Sequence, residues 1–201
     1  HQAFSSSMKE SSYRGDYCCI YPIKVNQQRQ VVEEVLRFGR PYQFGLEAGS
    51  KPELLAVIAL ADNETPIICN GFKDAEFIEM VMLAQKIRPN IGMRMKLATV
   101  GSGRWHASAG FRSKFGLSVS ELMKGVDLLA DRDMCDCFQL LHFHQGSQIT
   151  NIRHIKAALN ESARVYVELV KRGAGLKFLD VGGGLGVDYD GSQTNFESSV
   201  N

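Results

Sequence analysis

The chain of 201 residues lacks the features typical of membrane, secreted and nucleic-acid-binding proteins. It has no run of about 18 apolar residues, which a membrane-spanning helix would need. Its first 20 residues mix charged side chains with serines and do not form a signal peptide. Lys and Arg number 23 against 22 for Asp and Glu, with no basic stripe to hold nucleic acid. We therefore expect no membrane and no nucleic acid as a partner, but a small molecule.

The cysteines offer no disulfide or redox signature. There are five of them, an odd number, and none forms a Cys-x-x-Cys pair. Three stand in apolar runs, where a thiol behaves as a small hydrophobic side chain. The sequence also has no internal repeat and no low-complexity linker. This pattern favours a reducing compartment, and we expect a cytoplasmic protein.

Short apolar runs alternate with amphipathic stretches along the whole chain, a pattern typical of strand–helix units on a parallel sheet. The predicted fold class is therefore α/β. Pro22 has no N–H to donate to a sheet and predicts an irregular first strand. Six strands are predicted, at residues 18–25, 42–46, 66–69, 90–97, 137–144 and 176–181.

Helix starts are visible as Ser-x-x-Glu capping boxes, in which side chains satisfy free backbone amides. These boxes are Ser50 with Glu53 and Ser118 with Glu121. A further helix is predicted between Asn151 and Gly173. Its apolar stripe toward the sheet is predicted to be Ile155, Leu159, Ala163, Tyr166 and Val170.

Ligands bind at the carboxyl ends of parallel strands, and three predicted strand ends carry reactive or conformationally permissive residues. The first carries Lys24, which by strand alternation points away from Ile23 and Val25. Burial lowers the pKa of an amine and makes it a nucleophile toward aldehydes. The alternative is a lysine at a strand tip with its ammonium in water. The residues alone leave both interpretations open.

The second strand end carries His142 and His144, which alternation places on one face, while Leu141 and Phe143 occupy the other. Two such histidines could ligate a metal, although no third ligand stands at short spacing. An imidazole could instead stack on an aromatic cofactor. A structural role for at least one of the two histidines is the third alternative.

The third strand end is a glycine run, Gly182, Gly183, Gly184 and Gly186, directly after an apolar strand. Missing Cβ atoms let backbone amides approach an anion, and phosphate is the expected guest. The spacing fits neither a Rossmann fingerprint nor a P-loop, and a plain tight turn is the alternative. Glu47 and Arg94 are lesser candidates, because each is a charge among apolar residues that requires a partner if buried.

Five blocks of the chain together resemble the biosynthetic arginine decarboxylases, which are pyridoxal-phosphate enzymes. The resemblance covers nearly the whole chain and implies a (β/α)8 TIM barrel of the alanine racemase type, present here as an incomplete fragment. It favours the arginine enzymes over other barrel decarboxylases because of the residues that surround Lys24 and Glu47. The blocks are residues 21–27, 45–51, 69–74, 140–148 and 180–189.

The resemblance implies a carboxy-lyase that converts L-arginine to agmatine and CO2, the first step of a polyamine route. Lys24 would form the Schiff base with pyridoxal 5'-phosphate, and His144 would stack on the pyridine ring. A magnesium requirement is implied without any visible ligand cluster, and the full-length protein is expected to be a homo-oligomer. The remaining implied contacts are the phosphate for Ser147, Gly182, Gly183 and Gly184, the phenolic oxygen for Arg94, and the shell around the Schiff base for Glu47.

The chain departs from that family in its extent. We expect residues 1–201 to form part of the barrel, with one strand–helix unit missing at the Ile87–Arg88 junction and at least one more after Asn201. The carboxy-terminal β-rich domain, which in this family pairs with the pyridine nitrogen and recognises guanidinium, is also expected to be absent. We therefore expect this piece by itself to be inactive or nearly so.

Three other functions fit the same residues. Decarboxylases of ornithine, lysine or diaminopimelate share the barrel, the lysine and the glycine run. A non-catalytic relative could carry the cofactor without turning over. A phosphate-binding aldolase could use Lys24 directly on a sugar, in which case the resting protein would be colourless instead of yellow.

Overall fold

The structure is a computed structural model, and it describes residues 1–71, 74, 76–77, 90–98 and 115–186. The chain divides into two compact units, His1–Ile87 and Arg88–Asn201. Each unit holds a sheet of three parallel strands. Helices follow the strands along the chain in both units. The predicted α/β class is therefore confirmed in each unit.

The first unit pairs its three strands in chain order, with the second strand in the centre. Parallel pairing aligns Pro22 with Glu47 and Glu47 with Ile68. Short 3-10 helices at Ile23–Val25 and Arg40–Tyr42 lead away from β1 and into β2. The elements of this unit are α1 (Gln2–Glu10), β1 (Ile20–Pro22), α2 (Arg29–Gly39), β2 (Gly45–Ala48), α3 (Lys51–Leu60) and β3 (Ile67–Cys69).

The second unit repeats this order, with its middle strand again in the centre. Its pairing aligns Arg94 with His142 and His142 with Asp180. A 3-10 helix at Cys135–Cys137 precedes the central strand. The elements are β4 (Ile91–Arg94), α4 (Val119–Ala130), β5 (Phe138–His142), α5 (Ile152–Lys171) and β6 (Phe178–Asp180).

All six predicted strands are present in the described residues, in the predicted order, and most are shorter than expected. β1 ends at Pro22, which confirms the irregularity that the missing N–H predicts. β2 begins three residues late, because Tyr42 lies in a 3-10 helix and Gln43 adopts a left-handed backbone with φ 55°. The prediction missed α1, whose Phe4 ring stacks on Tyr17 at 4.8 Å.

Both predicted helix caps are present, and one of them differs in detail. Ser118 accepts from the amide of Glu121, whose carboxylate returns to the Ser118 amide at 2.7 Å, a complete capping box. Ser50 accepts from the amide of Glu53, but the Glu53 carboxylate bonds the amide of Gly49 at 2.7 Å. The Glu53 carboxylate therefore accepts from an amide one residue earlier than in a complete capping box, and it holds the segment between β2 and α3 in place.

The core of the second unit lies between its sheet and the helices α4 and α5. Leu122, Val126 and Leu141 are fully buried there, each contributing roughly 1.5–3 kcal/mol. The stripe predicted for α5 was wrong by about one position, since Leu159 and Val170 are exposed. The buried positions are Ala158, Ser162, Val165 and Leu169.

Small side chains explain that error. Ser162 is fully buried, and its hydroxyl donates to the carbonyl oxygen of Leu159 at 3.0 Å. A serine whose hydroxyl is hydrogen-bonded within its own helix can face a core, although hydrophobic periodicity alone predicts that it faces solvent.

In the described residues, no helix combines the length and apolar character needed to cross a membrane. The Ile87–Arg88 junction, where a missing strand–helix unit is expected, lies outside the described residues.

The capping box predicts the effect of Ser118→Ala. Loss of the hydroxyl leaves the Glu121 amide without its acceptor, which costs about 1 kcal/mol. Hydrogen exchange of the first-turn amides of α4 should become about fivefold faster. Ser120→Ala is the matched control, because that exposed hydroxyl contacts only Ser118 in the described contacts. Equal exchange in the two variants would contradict the capping role.

Candidate functional site

Lys24 lies just beyond the tip of β1, in the 3-10 helix Ile23–Val25. Its side chain is 62% exposed, so the expectation of a lysine buried within a strand was wrong. The reason is Pro22, which ends the strand three residues earlier than the apolar pattern suggests. The alternative interpretation, a lysine at a strand tip, is the one that the structure shows. Burial therefore does not supply an activation for this amine.

Glu47 is an acid within ion-pair distance of Lys24. Its Oε1 atom lies 3.6 Å from Lys24 Nζ, and its side chain is 18% exposed. Asn70, directly after β3, donates from Nδ2 to the same Oε1 at 3.4 Å. The ends of the three strands thus bring together an amine, a carboxylate and an amide. The sequence analysis did not nominate Asn70, although a polar residue straight after a strand is the same signal that marked the others.

Three polar residues form a row across the carboxyl ends of the second sheet. Arg94, His142 and Asp180 are successive neighbours in the strand register. The Arg94 guanidinium lies over the Phe115 ring, with its Cζ 5.4 Å from the centroid. Asp180 was not nominated from the sequence, and the signal that could have found it is its place as the last residue before the glycine run.

The alternation predicted around His142 is confirmed. Leu141 and Phe143 are fully buried, His142 is 12% exposed, and His144 is exposed. The strand ends at His142, so His144 lies in the segment that follows it. His142 has a structural partner, because its Nδ1 lies 3.0 Å from Asp180 Oδ2. His144 is exposed, in contrast to His142.

The glycine run packs directly against the segment after β5. A Cβ placed on Gly182 would lie 2.6 Å from the carbonyl oxygen of Phe143 and 3.0 Å from His144 Nδ1. A Cβ on Gly184 would overlap the carbonyl oxygen of Gly146 and approach the Cα of Ser147 at 3.3 Å. The structure therefore brings His144, Ser147 and the glycines together. Gly183 differs, since a Cβ there would meet nothing within 4 Å.

Two backbone hydrogen bonds hold these segments side by side. The amide of Ile149 donates to the carbonyl oxygen of Gly184 at 2.8 Å. The amide of Gly186 donates back to the carbonyl oxygen of Ile149 at 2.9 Å. Since Gly182 and Gly184 have φ of 69° and 97°, no other residue type fits these positions without strain. The glycine run is thus a loop whose conformation is fixed by packing and hydrogen bonds to the segment after β5.

The Asp180 carboxylate lies at the start of this loop and is ionised at neutral pH. Burial raises the pKa of Asp180, but the hydrogen bond and charge of His142, the Gly182 amide and the charge of His144 hold it below its ordinary value. The Gly182 amide donates to Asp180 Oδ1 at 2.8 Å. One carboxylate therefore joins the end of β5 to the first glycine.

Taken separately, the described residues of each unit offer groups that suit an organic ligand better than a metal. No group of three or more His, Cys, Asp and Glu side chains in the described part could hold a metal ion. The magnesium expectation therefore finds no site there. The glycine loop, in contrast, supplies exposed backbone at Gly183, and Ser147 beside it supplies a hydroxyl. Lys24 supplies the primary amine that an aldehyde requires.

Comparison with known families settles the class of domain. The sequence model of the pyridoxal-dependent decarboxylase family, pyridoxal binding domain, matches residues 2–101 and 83–201. The chain belongs to this family. The expected binding of a pyridoxal cofactor is thereby confirmed at the level of the domain.

This pyridoxal-binding domain is similar to curated biosynthetic arginine decarboxylases. It is 53% identical to that of Rhodopirellula baltica over 226 residues, covering 100% of the chain and 34% of the relative. It is 49% identical to that of Nostoc over 227 residues, covering 98% of the chain and 33% of the relative. The chain spans about a third of the length of these relatives.

Solved structures confirm the barrel-type fold and its partial extent. The biosynthetic arginine decarboxylase of Campylobacter jejuni matches with a TM-score of 0.86 and 34% identity, over 99% of this chain and 38% of that one. The diaminopimelate decarboxylase of Helicobacter pylori, complexed with L-lysine, matches with a TM-score of 0.78 over 99% of the chain and 55% of that one. At 20% identity, the second likeness shows the fold alone.

The relatives hold more residues within the matched span than the pyridoxal-binding domain does. The alignment that covers the whole chain runs over 226 positions, whereas the chain has 201 residues. The difference between these two lengths is about the length of one strand–helix unit. The expectation of a missing unit at the Ile87–Arg88 junction is consistent with this difference and stays a prediction.

The geometry of the glycine loop predicts opposite outcomes for neighbouring substitutions. Gly184→Ala should destabilise the domain by at least about 1–2 kcal/mol, because the residue is left-handed and its Cβ overlaps Gly146. Gly183→Ala should leave stability unchanged, since its Cβ enters open space. Thermal unfolding of both variants checks this. A loss of stability in Gly183→Ala equal to that in Gly184→Ala would contradict the loop geometry.

Proposed function

We propose that the full-length protein containing this chain is a pyridoxal-phosphate-dependent decarboxylase that converts L-arginine to agmatine and CO2. The observation that carries the proposal is the 53% identity to a biosynthetic arginine decarboxylase along the entire chain. The product places the enzyme at the first step of a polyamine route. Because the chain spans about a third of its relatives, the activity is proposed for the whole protein.

Lys24 is the proposed attachment point for the cofactor aldehyde. Its exposed ammonium lies 3.6 Å from Glu47, a carboxylate that can orient the amine and accept a proton from it. Asn70 donates to the same carboxylate oxygen and fixes its position. When bound, the cofactor supplies an electron sink for the pair left behind by CO2. The polar shell around Lys24 is thus the proposed role of Glu47.

The second unit carries the proposed contacts to the rest of the cofactor. Ser147 and the glycines Gly182, Gly183 and Gly184 would form the loop that holds the phosphate, with exposed backbone supplied at Gly183. His144 would stack on the pyridine ring, in keeping with its exposed imidazole. Arg94 would lie near the phenolic oxygen, where a cation stabilises negative charge. The row of polar strand ends supports these assignments.

Other basic amino acids are the alternative substrates. The likeness to diaminopimelate and lysine decarboxylases is 20% and 19% identity, which supports the shared fold and leaves the substrate open. Identity near 50% to the arginine enzymes favours arginine. Membership in a pyridoxal-binding family weighs against an aldolase. The retained Lys24 and glycine loop weigh against a non-catalytic relative.

The remaining two thirds of the relatives' length would supply what this chain lacks. We propose that residues 1–201 form part of the barrel and that a separate β-rich domain contributes recognition of guanidinium. Homo-oligomerisation and a cytoplasmic location stay predictions. The described residues give no support to a magnesium site.

Chemical trapping tests the role of Lys24. Reduction with borohydride should fix the cofactor on the peptide that contains Lys24, as read by mass spectrometry. Lys24→Arg keeps the charge next to Glu47 but cannot bond to an aldehyde, so the trapped mass should disappear. Lys51→Arg is the matched control, since Lys51 pairs with Asp74 and Glu76. Trapping on any other lysine would refute the assignment.

Substrate choice is tested by CO2 release from the full-length protein with pyridoxal phosphate. Arginine, ornithine, lysine and diaminopimelate are offered separately, and amine products are identified. We expect agmatine, with kcat/KM for arginine at least about a hundredfold above the others. Preference for another amino acid would change the assigned substrate and leave the assigned cofactor unchanged. Release from none of them would favour the non-catalytic relative.

A further inference from the structure

We infer that His142 and Asp180 are positioning residues that set the glycine loop for the cofactor phosphate. The inference rests on the proposed function and deepens it at one point. Neither residue needs to touch the ligand. Their joint effect would be to fix where the loop begins and which of its amides remain available to an anion.

The pair is held by two contacts at the carboxyl ends of β5 and β6. His142 Nδ1 lies 3.0 Å from Asp180 Oδ2 and 3.3 Å from the Asp180 carbonyl oxygen. Both acceptors lack protons, so Nδ1 must carry the hydrogen. With His142 at 12% exposure, this hydrogen bond is largely shielded from water. The imidazole is thereby locked to one carboxylate oxygen.

The other carboxylate oxygen determines the start of the loop. Asp180 Oδ1 accepts from the amide of Gly182 at 2.8 Å. That amide is turned toward Asp180, and Gly182 adopts its left-handed φ of 69° against the carbonyl of Phe143. The anion-binding role then passes to the amides of Gly183 and Gly184. Gly182 is in this view the structural glycine of the three.

Charge makes the pairing necessary. A carboxylate at the entrance of a loop that binds a phosphate dianion repels the ligand unless its own charge is compensated. Asp180 has both oxygens engaged by N–H donors, one from His142 and one from Gly182. Removing His142 would leave the partly buried carboxylate free to turn and to repel. Phosphate affinity should therefore depend on a histidine that does not contact phosphate.

A comparison of two ligands separates positioning from general structure. Pyridoxal 5'-phosphate and pyridoxal share the aldehyde and the ring, and only the first carries the phosphate. In the full-length protein, His142→Ala and Asp180→Ala should raise the Kd for the phosphate form about tenfold or more, as loss of a charged hydrogen bond predicts. The Kd for pyridoxal should change less than about twofold.

Two further variants complete the design. His142→Asn places an amide N–H close to the position of Nδ1 and should restore most of the phosphate preference. His154→Ala, on α5, removes a histidine elsewhere in the unit and should behave as wild type. The melting temperature of each variant is measured alongside. His142→Asn and His154→Ala keep the comparison decisive if an alanine variant at the pair fails to fold.

Each outcome has a defined meaning. A selective loss of phosphate-form binding, rescued by His142→Asn, supports the inference. Equal losses for both ligands would show a merely structural role and overturn it, as would unchanged binding of both. A wild-type protein that binds neither ligand would overturn the proposed function, and the inference with it.

Discussion

Parallel strand pairing is the constraint on which the candidate site depends. Neighbouring strands lie about 4.8 Å apart, so residues in register at their carboxyl ends are brought within reach of one another. In the second unit this rule alone collects Arg94, His142 and Asp180. In the first unit it places Glu47 between the segments that carry Lys24 and Asn70. Polar chemistry gathers at strand ends because apolar side chains fill the interior.

The two acidic residues at these ends serve different purposes. Glu47 lies 3.6 Å from the ammonium of Lys24, whose side chain is 62% exposed, so water screens much of the attraction. Such a pair orients an amine without holding it tightly, which is compatible with the role proposed for Lys24. Asp180 is more confined, with short contacts to an imidazole and a backbone amide. That carboxylate is suited to holding a loop in place.

Sequence reasoning predicted the architecture well, because alternation and spacing are local signals. The six strands and the buried face of Leu141 and Phe143 followed from periodicity, and the cap at Ser118 followed from its Ser-x-x-Glu spacing. Element ends were less predictable, since they depend on single residues such as Pro22 and on tertiary contacts. The burial of Ser162 shows the same limit. A serine whose hydroxyl is hydrogen-bonded within its own helix is predicted to be exposed because it is polar, although it packs in the core like an apolar residue.

The candidate site was predictable as a list of residues but not as a set of roles. For Lys24 the sequence left a buried and an exposed lysine both open, and the structure shows it exposed. The glycine run was nominated as one unit, yet its members differ. Gly182 has its amide bonded to Asp180, Gly183 borders open space, and Gly184 is packed against Gly146. No pattern of glycines encodes these differences, because they arise from the segment after β5, about 40 residues earlier in the chain. A loop of this kind is specified by what lies beside it, and a carboxylate paired with a histidine is the means by which this fold specifies it.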